Sequence, residues 1–150
     1  MPAHPNLIED EPSLAEIVRT TRTIAVVGMK DENDPEAAAF EVPRSIAARG
    51  FRVIPVNPKI QSSLGERAYP SLAALDRAVD LIDVFRRSDA IPAVADEILA
   101  LPPERRPRVV WLQSGIRNDD AARKLADAGI KVVQDRCLGV YVGRYARGRS

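Results

Sequence analysis

A chain of 150 residues, 45% hydrophobic and 29% charged, suits one soluble domain with its own core. Its net charge of +1 lacks the basic excess of a non-specific nucleic-acid binder, and no apolar run reaches the length of a membrane span. One cysteine, Cys137, excludes an internal disulfide framework and suits a reducing compartment; the cytoplasm is the expected location, since residues 1–11 do not read as a signal peptide.

An opening helix is expected around residues 13–19. The run Ile24-Ala25-Val26-Val27 is short and β-branched, so it reads as a strand. Pro43 fits the first position of the next helix, with Ile46 and Ala47 facing inward before Gly50. A second strand follows at Phe51-Arg52-Val53-Ile54. Pro55 is placed near its end, because proline cannot donate to a ladder. Ser71 can cap a short helix reaching Val79. The third strand is Leu81-Ile82-Asp83-Val84-Phe85. Ser88 then caps a helix with Ile91, Val94 and Ile98 on one face. Val109-Val110-Trp111-Leu112 is the fourth strand. Asn118 caps the last helix, Asp119 and Asp120 favour its positive end, and Gly129 closes it. Ile130-Lys131-Val132-Val133 is the fifth strand.

This alternation is an α/β pattern: a Rossmann-like, doubly wound, five-stranded parallel sheet. The expected strand order is 3-2-1-4-5. One domain spans 1–150, with residues 1–12 and 141–150 as terminal extensions. Arg144, Arg147 and Arg149 give the second extension a basic, solvated character.

In such a sheet the ligand lies beyond the carboxyl ends of the strands, where the strand order reverses. The residues that follow the strands are therefore the candidate site. They are Gly28, Met29 and Lys30; Asn57, Pro58 and Lys59; Phe85 and Arg86; Gln113, Ser114 and Gly115 after Leu112; and Arg136. Lys30, Lys59, Arg86, Arg87 and Arg136 collect on one edge of a nearly neutral chain, which suits a polyanion such as a pyrophosphate. Gly28 lets backbone approach a phosphate, and a loop of about a dozen residues follows it, as in many binding loops. No G-x-G-x-x-G follows the first strand. No carboxylate ends the second strand to take ribose hydroxyls, which counts against NAD and leaves NADP or another phosphorylated adenosine.

Several ordered segments carry a resemblance. Gly50-Phe51-Arg52-Val53-Ile54-Pro55-Val56-Asn57-Pro58 is followed by Leu64-Gly65-Glu66. Next come Asp80-Leu81-Ile82-Asp83-Val84-Phe85-Arg86, Val110-Trp111-Leu112-Gln113-Ser114-Gly115-Ile116, and Asp135-Arg136-Cys137. They resemble the CoA-binding domain family over residues 14–140, in particular its small stand-alone bacterial members of the YccU type. That family is similar to the N-terminal domain of the succinyl-CoA synthetase alpha subunit. The resemblance implies coenzyme A or an acyl-CoA as ligand. It implies that Gly28-Met29-Lys30 meets the phosphates, with Lys59 matching the family lysine after the second strand. It places Leu112-Gln113-Ser114 along the pantetheine, and Phe85 and Arg86 beside the nucleotide. Two departures stand out: Met29 replaces a common serine, and the first loop is acidic, with Asp31, Glu32 and Asp34.

Catalysis is not expected. The only histidine, His4, sits in a terminus expected to fray, so no Ser-His-Asp or Cys-His arrangement can be assembled. No Cys/His cluster has metal spacing. Asp80 and Asp83 read as strand-end or turn carboxylates. Cys137 lies beside Arg136, where a cation favours the thiolate; a small buried hydrophobe is its plainer reading. Trp111 reads as core. The alternatives are a small NADP-linked oxidoreductase, for which no Tyr-x-x-x-Lys pair is present, and a protein–protein adaptor with a vestigial pocket.

Overall fold

A computed structural model describes residues 4–146. Helix α1 (Glu11–Thr20) precedes β1 (Thr23–Val27), α2 (Ala38–Ala47) and β2 (Arg52–Val56). A small hairpin, β3 (Ser62–Ser63) and β4 (Glu66–Arg67), leads to β5 (Leu81–Val84) and α3 (Ile91–Leu99). Then come β6 (Val109–Leu112), α4 (Asp119–Asp127), β7 (Lys131–Val133) and α5 (Leu138–Tyr145). None of the described helices is long and apolar enough to cross a membrane.

The five long strands form one parallel sheet of order β2-β1-β5-β6-β7. The α/β, doubly wound class is the expected one, but the strand order is corrected. Counting only these strands it is 2-1-3-4-5, because β5 pairs with the side of β1 opposite to β2. Pro55 gives the physical reason. In the expected order the second strand would be interior and would lose a ladder bond at Pro55. Here β2 is the edge, and the backbone of Pro55 faces outward, its carbonyl taking the Tyr69 N–H at 3.0 Å. The other edge is covered too: the N-terminal segment runs along β7, with Ile8 N–H on Val132 O at 2.9 Å and Val132 N–H on Asn6 O at 2.8 Å.

Both faces of the sheet are buried, so its strands are near-continuous apolar runs. Ala25, Val27, Ile82, Val84, Val110 and Leu112 face the layer of α3 and α4. Ile24, Val26, Leu81, Val109 and Trp111 face α1, α2 and α5. Each Leu or Ile so buried stabilises the fold by roughly 1.5–3 kcal/mol. Trp111 is wholly core, its indole N–H on Arg136 O at 2.7 Å.

The helices depart from expectation where local signals met tertiary partners. Helix α2 begins at Ala38, so Pro43 is interior rather than first. The missing Pro43 N–H frees the Ala39 carbonyl, which instead accepts the Lys30 N–H at 3.0 Å. The helix expected after Ser71 is only a 3₁₀ turn at Leu72–Ala74. Ser71 does not cap it; Glu97 Oε2 takes the Leu72 N–H at 3.0 Å. Ser88 is not the cap of α3 either, since its Oγ accepts the Arg117 N–H at 3.0 Å. Asn118 does cap α4, accepting the Ala121 N–H at 3.0 Å.

Helix α5 was not foreseen. Tyr141, Val142 and Ala146, read from sequence as part of a terminal extension, are buried in the core. Arg147 and Arg149 lie outside the described residues. His4 is tied down rather than frayed, with Nε2 3.0 Å from Asp127 Oδ1 and Nδ1 accepting the Asn6 N–H.

Candidate functional site

The strand order reverses between β1 and β5, so their two following loops flank the crevice. Gly28 has φ +85°, and a Cβ there would stand 2.4 Å from Phe85 O. The close approach that requires glycine is thus to the Phe85 backbone, and it brings the two loops together. Half-buried Phe85 packs against the α1/α2/α5 core.

The next residue turns inward. Met29 is fully buried, so its side chain belongs to the core rather than to a ligand contact. Its carbonyl accepts Asn57 Nδ2 at 2.9 Å. Asn57 is itself buried, and its Oδ1 takes the Lys59 N–H at 2.9 Å. Asn57 is therefore a clamp between the loops after β1 and β2, leaving Pro58 and Lys59 exposed. The hairpin completes the wall: Ser63 Oγ donates to Lys30 O at 2.8 Å, and the Leu64 N–H donates to Glu32 Oε2 at 2.9 Å.

The cations divide into two groups. Lys30 Nζ lies 3.8 Å from Asp34, and Arg87 pairs with Asp89 at 3.0 Å. The Arg136 guanidinium donates to Tyr141 OH at 2.7 Å and to Glu9 O at 3.3 Å, joining the fifth-strand loop to α5 and the N-terminal segment. Arg86 and Lys59 differ: neither side chain has a hydrogen bond or ion pair among the described residues. Arg86 is half-buried, its Cδ 3.5 Å from where a Gly28 Cβ would be.

On the far side of the crevice, Leu112 is core and Gln113 is buried, while Ser114 and Gly115 are exposed. Gly115 has φ +81° and donates its N–H to Asp135 Oδ1 at 2.6 Å. Asp135, read from the sequence only as part of the segment Asp135-Arg136-Cys137, itself adopts φ +56°, a conformation Asp tolerates better than most residues. Asp83 was also misjudged. It is not a strand-end carboxylate but a fully buried one within β5, with Oδ1 accepting Gln113 Nε2 at 2.7 Å.

Asp80, at the start of β5, does behave as a strand-end carboxylate. Partial burial raises its pKa, but the Arg22 and Thr23 N–H groups and nearby Arg108 outweigh this and hold it below the ordinary value. A cavity of about 230 Å³ lies at this amino edge, near Glu16, Thr20, Arg108 and Lys131. It is on the side of the sheet opposite to the switch-point loops, and Arg108 there is already engaged by Thr20 O and Asp80.

Known proteins share this fold. The uncharacterized protein YneT of Bacillus subtilis (strain 168) is 37% identical over 127 residues, 85% of this chain and 90% of that protein. A Thermus thermophilus structure superimposes with a TM-score of 0.82 at 41% identity, covering 91% of this chain and 99% of that one. An acetyl-coenzyme A synthetase from Ca. Korarchaeum cryptofilum, in its apo form, shares the fold at 21% identity. Its TM-score is 0.61 over 79% of this chain and 27% of that one. A family model described as CoA binding domain matches residues 22–143, and the chain belongs to that family.

Proposed function

We propose that this protein binds coenzyme A, or an acyl-CoA, in the crevice at the carboxyl edge of its sheet, without catalysis of its own. The observation that carries the reading is Arg86. A half-buried guanidinium with no partner among the described residues stands at the switch point against Gly28. Its nitrogens are not buried, so an arriving phosphate would exchange water for charge-assisted hydrogen bonds. Lys59 offers a second unpaired charge across the clamp made by Asn57. The N-terminus of α2 has no side-chain cap, so its first N–H groups favour an anion.

Turnover by this chain alone would need an acid or base at the crevice. His4 is engaged with Asp127, the last residue of α4, which places it at the amino edge. We read the role as that of a binding module, a carrier or a partner-dependent subunit. Half-buried, unpaired Cys137 suits a reducing compartment, and we place the protein in the cytoplasm.

One observation favours an adaptor with a vestigial pocket. Lys30 is offset by Asp34 and the Arg136 guanidinium is engaged elsewhere, so the edge is less positive than its sequence suggests. Native mass spectrometry with CoA, NADP and NAD separates the readings. A one-to-one CoA complex that the nicotinamide cofactors do not form supports CoA binding. An NADP complex supports an oxidoreductase, and no complex supports the adaptor.

A further inference from the structure

Asp83 is a polar residue that the crevice does not account for. It sits in β5 between Val26 of β1 and Trp111 of β6 and is fully buried. Oδ1 takes the hydrogen bond from Gln113, while Oδ2 has no partner among the described residues. Burial pushes its pKa up to about 7, opposed by hydrogen bonds from Gln113 and the Val84 backbone.

The charges of the surrounding elements stay at the surface. Glu41 and Arg44 of α2 pair with each other, and Arg144 and Tyr145 of α5 meet Glu11 of α1. Glu16 and Arg19 of α1 are exposed. Cys137, the N-cap of α5, is half-buried, and Tyr141 OH accepts from Arg136. Strands β1 and β6 carry no titratable residue.

Gln113 links this carboxyl to the crevice. Its side chain is on Asp83, its N–H closes on Val84 O at 3.4 Å, and its carbonyl accepts the Ile116 N–H at 2.9 Å. The carboxamide and the turn from Gln113 to Ile116 are thus one hydrogen-bonded unit. A neutral Asp83 fits its dry site, whereas an ionised one has a single side-chain donor and demands water. Exposed Ser114 and Gly115 follow directly on Gln113, so opening this turn admits that water.

We propose that Asp83 is a positioning residue: the closed Gln113–Ile116 turn keeps it dry and neutral, and on losing its proton to solvent it opens that turn, because the buried carboxylate demands water. Ligand binding in the crevice is then tighter below neutral pH than above it. The ligand half of this inference rests on the CoA reading; the proton half does not.

Amide hydrogen exchange of the wild-type protein, corrected for intrinsic rates, reads the turn without any ligand. Opening at Ile116, whose N–H is held by the Gln113 carbonyl, should rise about eightfold from pH 5 to 6 and level off above about pH 7.5. Asp83→Asn should abolish the rise. Gln113→Leu removes a donor that favours the carboxylate, so it should move the plateau to higher pH; a merely structural pair would lose protection without moving it. A flat profile in the wild type, or the same rise in Asp83→Asn, overturns the proposal. CoA titration at pH 6 and 8 reads the ligand half. The wild type should bind several-fold tighter at pH 6 after subtraction of the Asp83→Asn profile, which carries only the ionisation of CoA itself. Equal affinities after that subtraction refute the coupling. No CoA binding with the exchange rise intact defeats the CoA reading and supports the proton link.

Discussion

The two edges of the sheet treat their polar groups in opposite ways. At the amino edge Asp80 takes the N–H groups of Arg22 and Thr23 and pairs with Arg108, whose guanidinium also reaches Thr20 O. His4 is tied to Asp127 there. At the carboxyl edge Arg86 and Lys59 have no partners among the described residues, and one oxygen of Asp83 is likewise unmet. Both aspartates lie on one short stretch of chain, yet one is pulled below and the other pushed above the ordinary carboxylate value. One edge is stitched for stability. The other keeps groups that have no protein partner among the described residues.

That contrast can be broken by substitution, beginning with the largest effect. Gly28→Ala forces a Cβ to 2.4 Å from Phe85 O at φ +85°, so backbone must move. A loss of roughly 3–5 kcal/mol, seen as a large fall in Tm, is expected. An unchanged Tm would refute the tight crossing of the two loops.

The second effect is on pH dependence. Asp83 has a folded pKa of about 7 against an ordinary 3.8, so the folded state holds the proton more tightly. Its stabilising contribution is complete below the ordinary value and is lost as pH rises through about 7. Denaturant titrations should show the stability advantage of Asp83→Asn over wild type growing by roughly 4 kcal/mol from pH 4 to above 7. A constant difference would contradict the buried, neutral carboxyl.

Asp80 has the opposite sign, since its stabilising effect is present above the ordinary carboxylate pKa and disappears as pH falls below it. Asp80→Ala leaves two N–H groups without this acceptor and should cost about 2 kcal/mol at neutral pH, less in acid. The smallest change is Arg136→Ala. It removes bonds to Tyr141 and Glu9 and should cost about 1 kcal/mol of stability, measured by chemical unfolding.

Much of this was legible in the residues. The apolar runs located the strands, and Asn118 and Gly129 bounded α4, because these signals are local. Pro55 already argued against an interior second strand, and following it would have yielded the right order. The start of α2 was hidden because a distant N–H, that of Lys30, takes the carbonyl that Pro43 leaves free. Helix α5 was hidden because Gly139 and Gly143 weaken its local signal, while Gly139 packs so closely that an added Cβ would lie 3.2 Å from Val42 of α2. At the candidate site, residue types gathered the cations that follow the strands. They did not show which cations were already engaged, nor that Asp83 pointed into the core.

Calorimetric titration of the wild type, Arg86→Ala and Arg136→Ala with CoA at neutral pH tests the central claim most directly. The wild type should bind. Arg86→Ala should lose roughly 1.5–3 kcal/mol, about 10- to 100-fold in affinity, with its Tm unchanged, while Arg136→Ala keeps its affinity. Silence from the wild type, or an equal loss in both variants, would contradict a crevice built around the unpaired charge of Arg86.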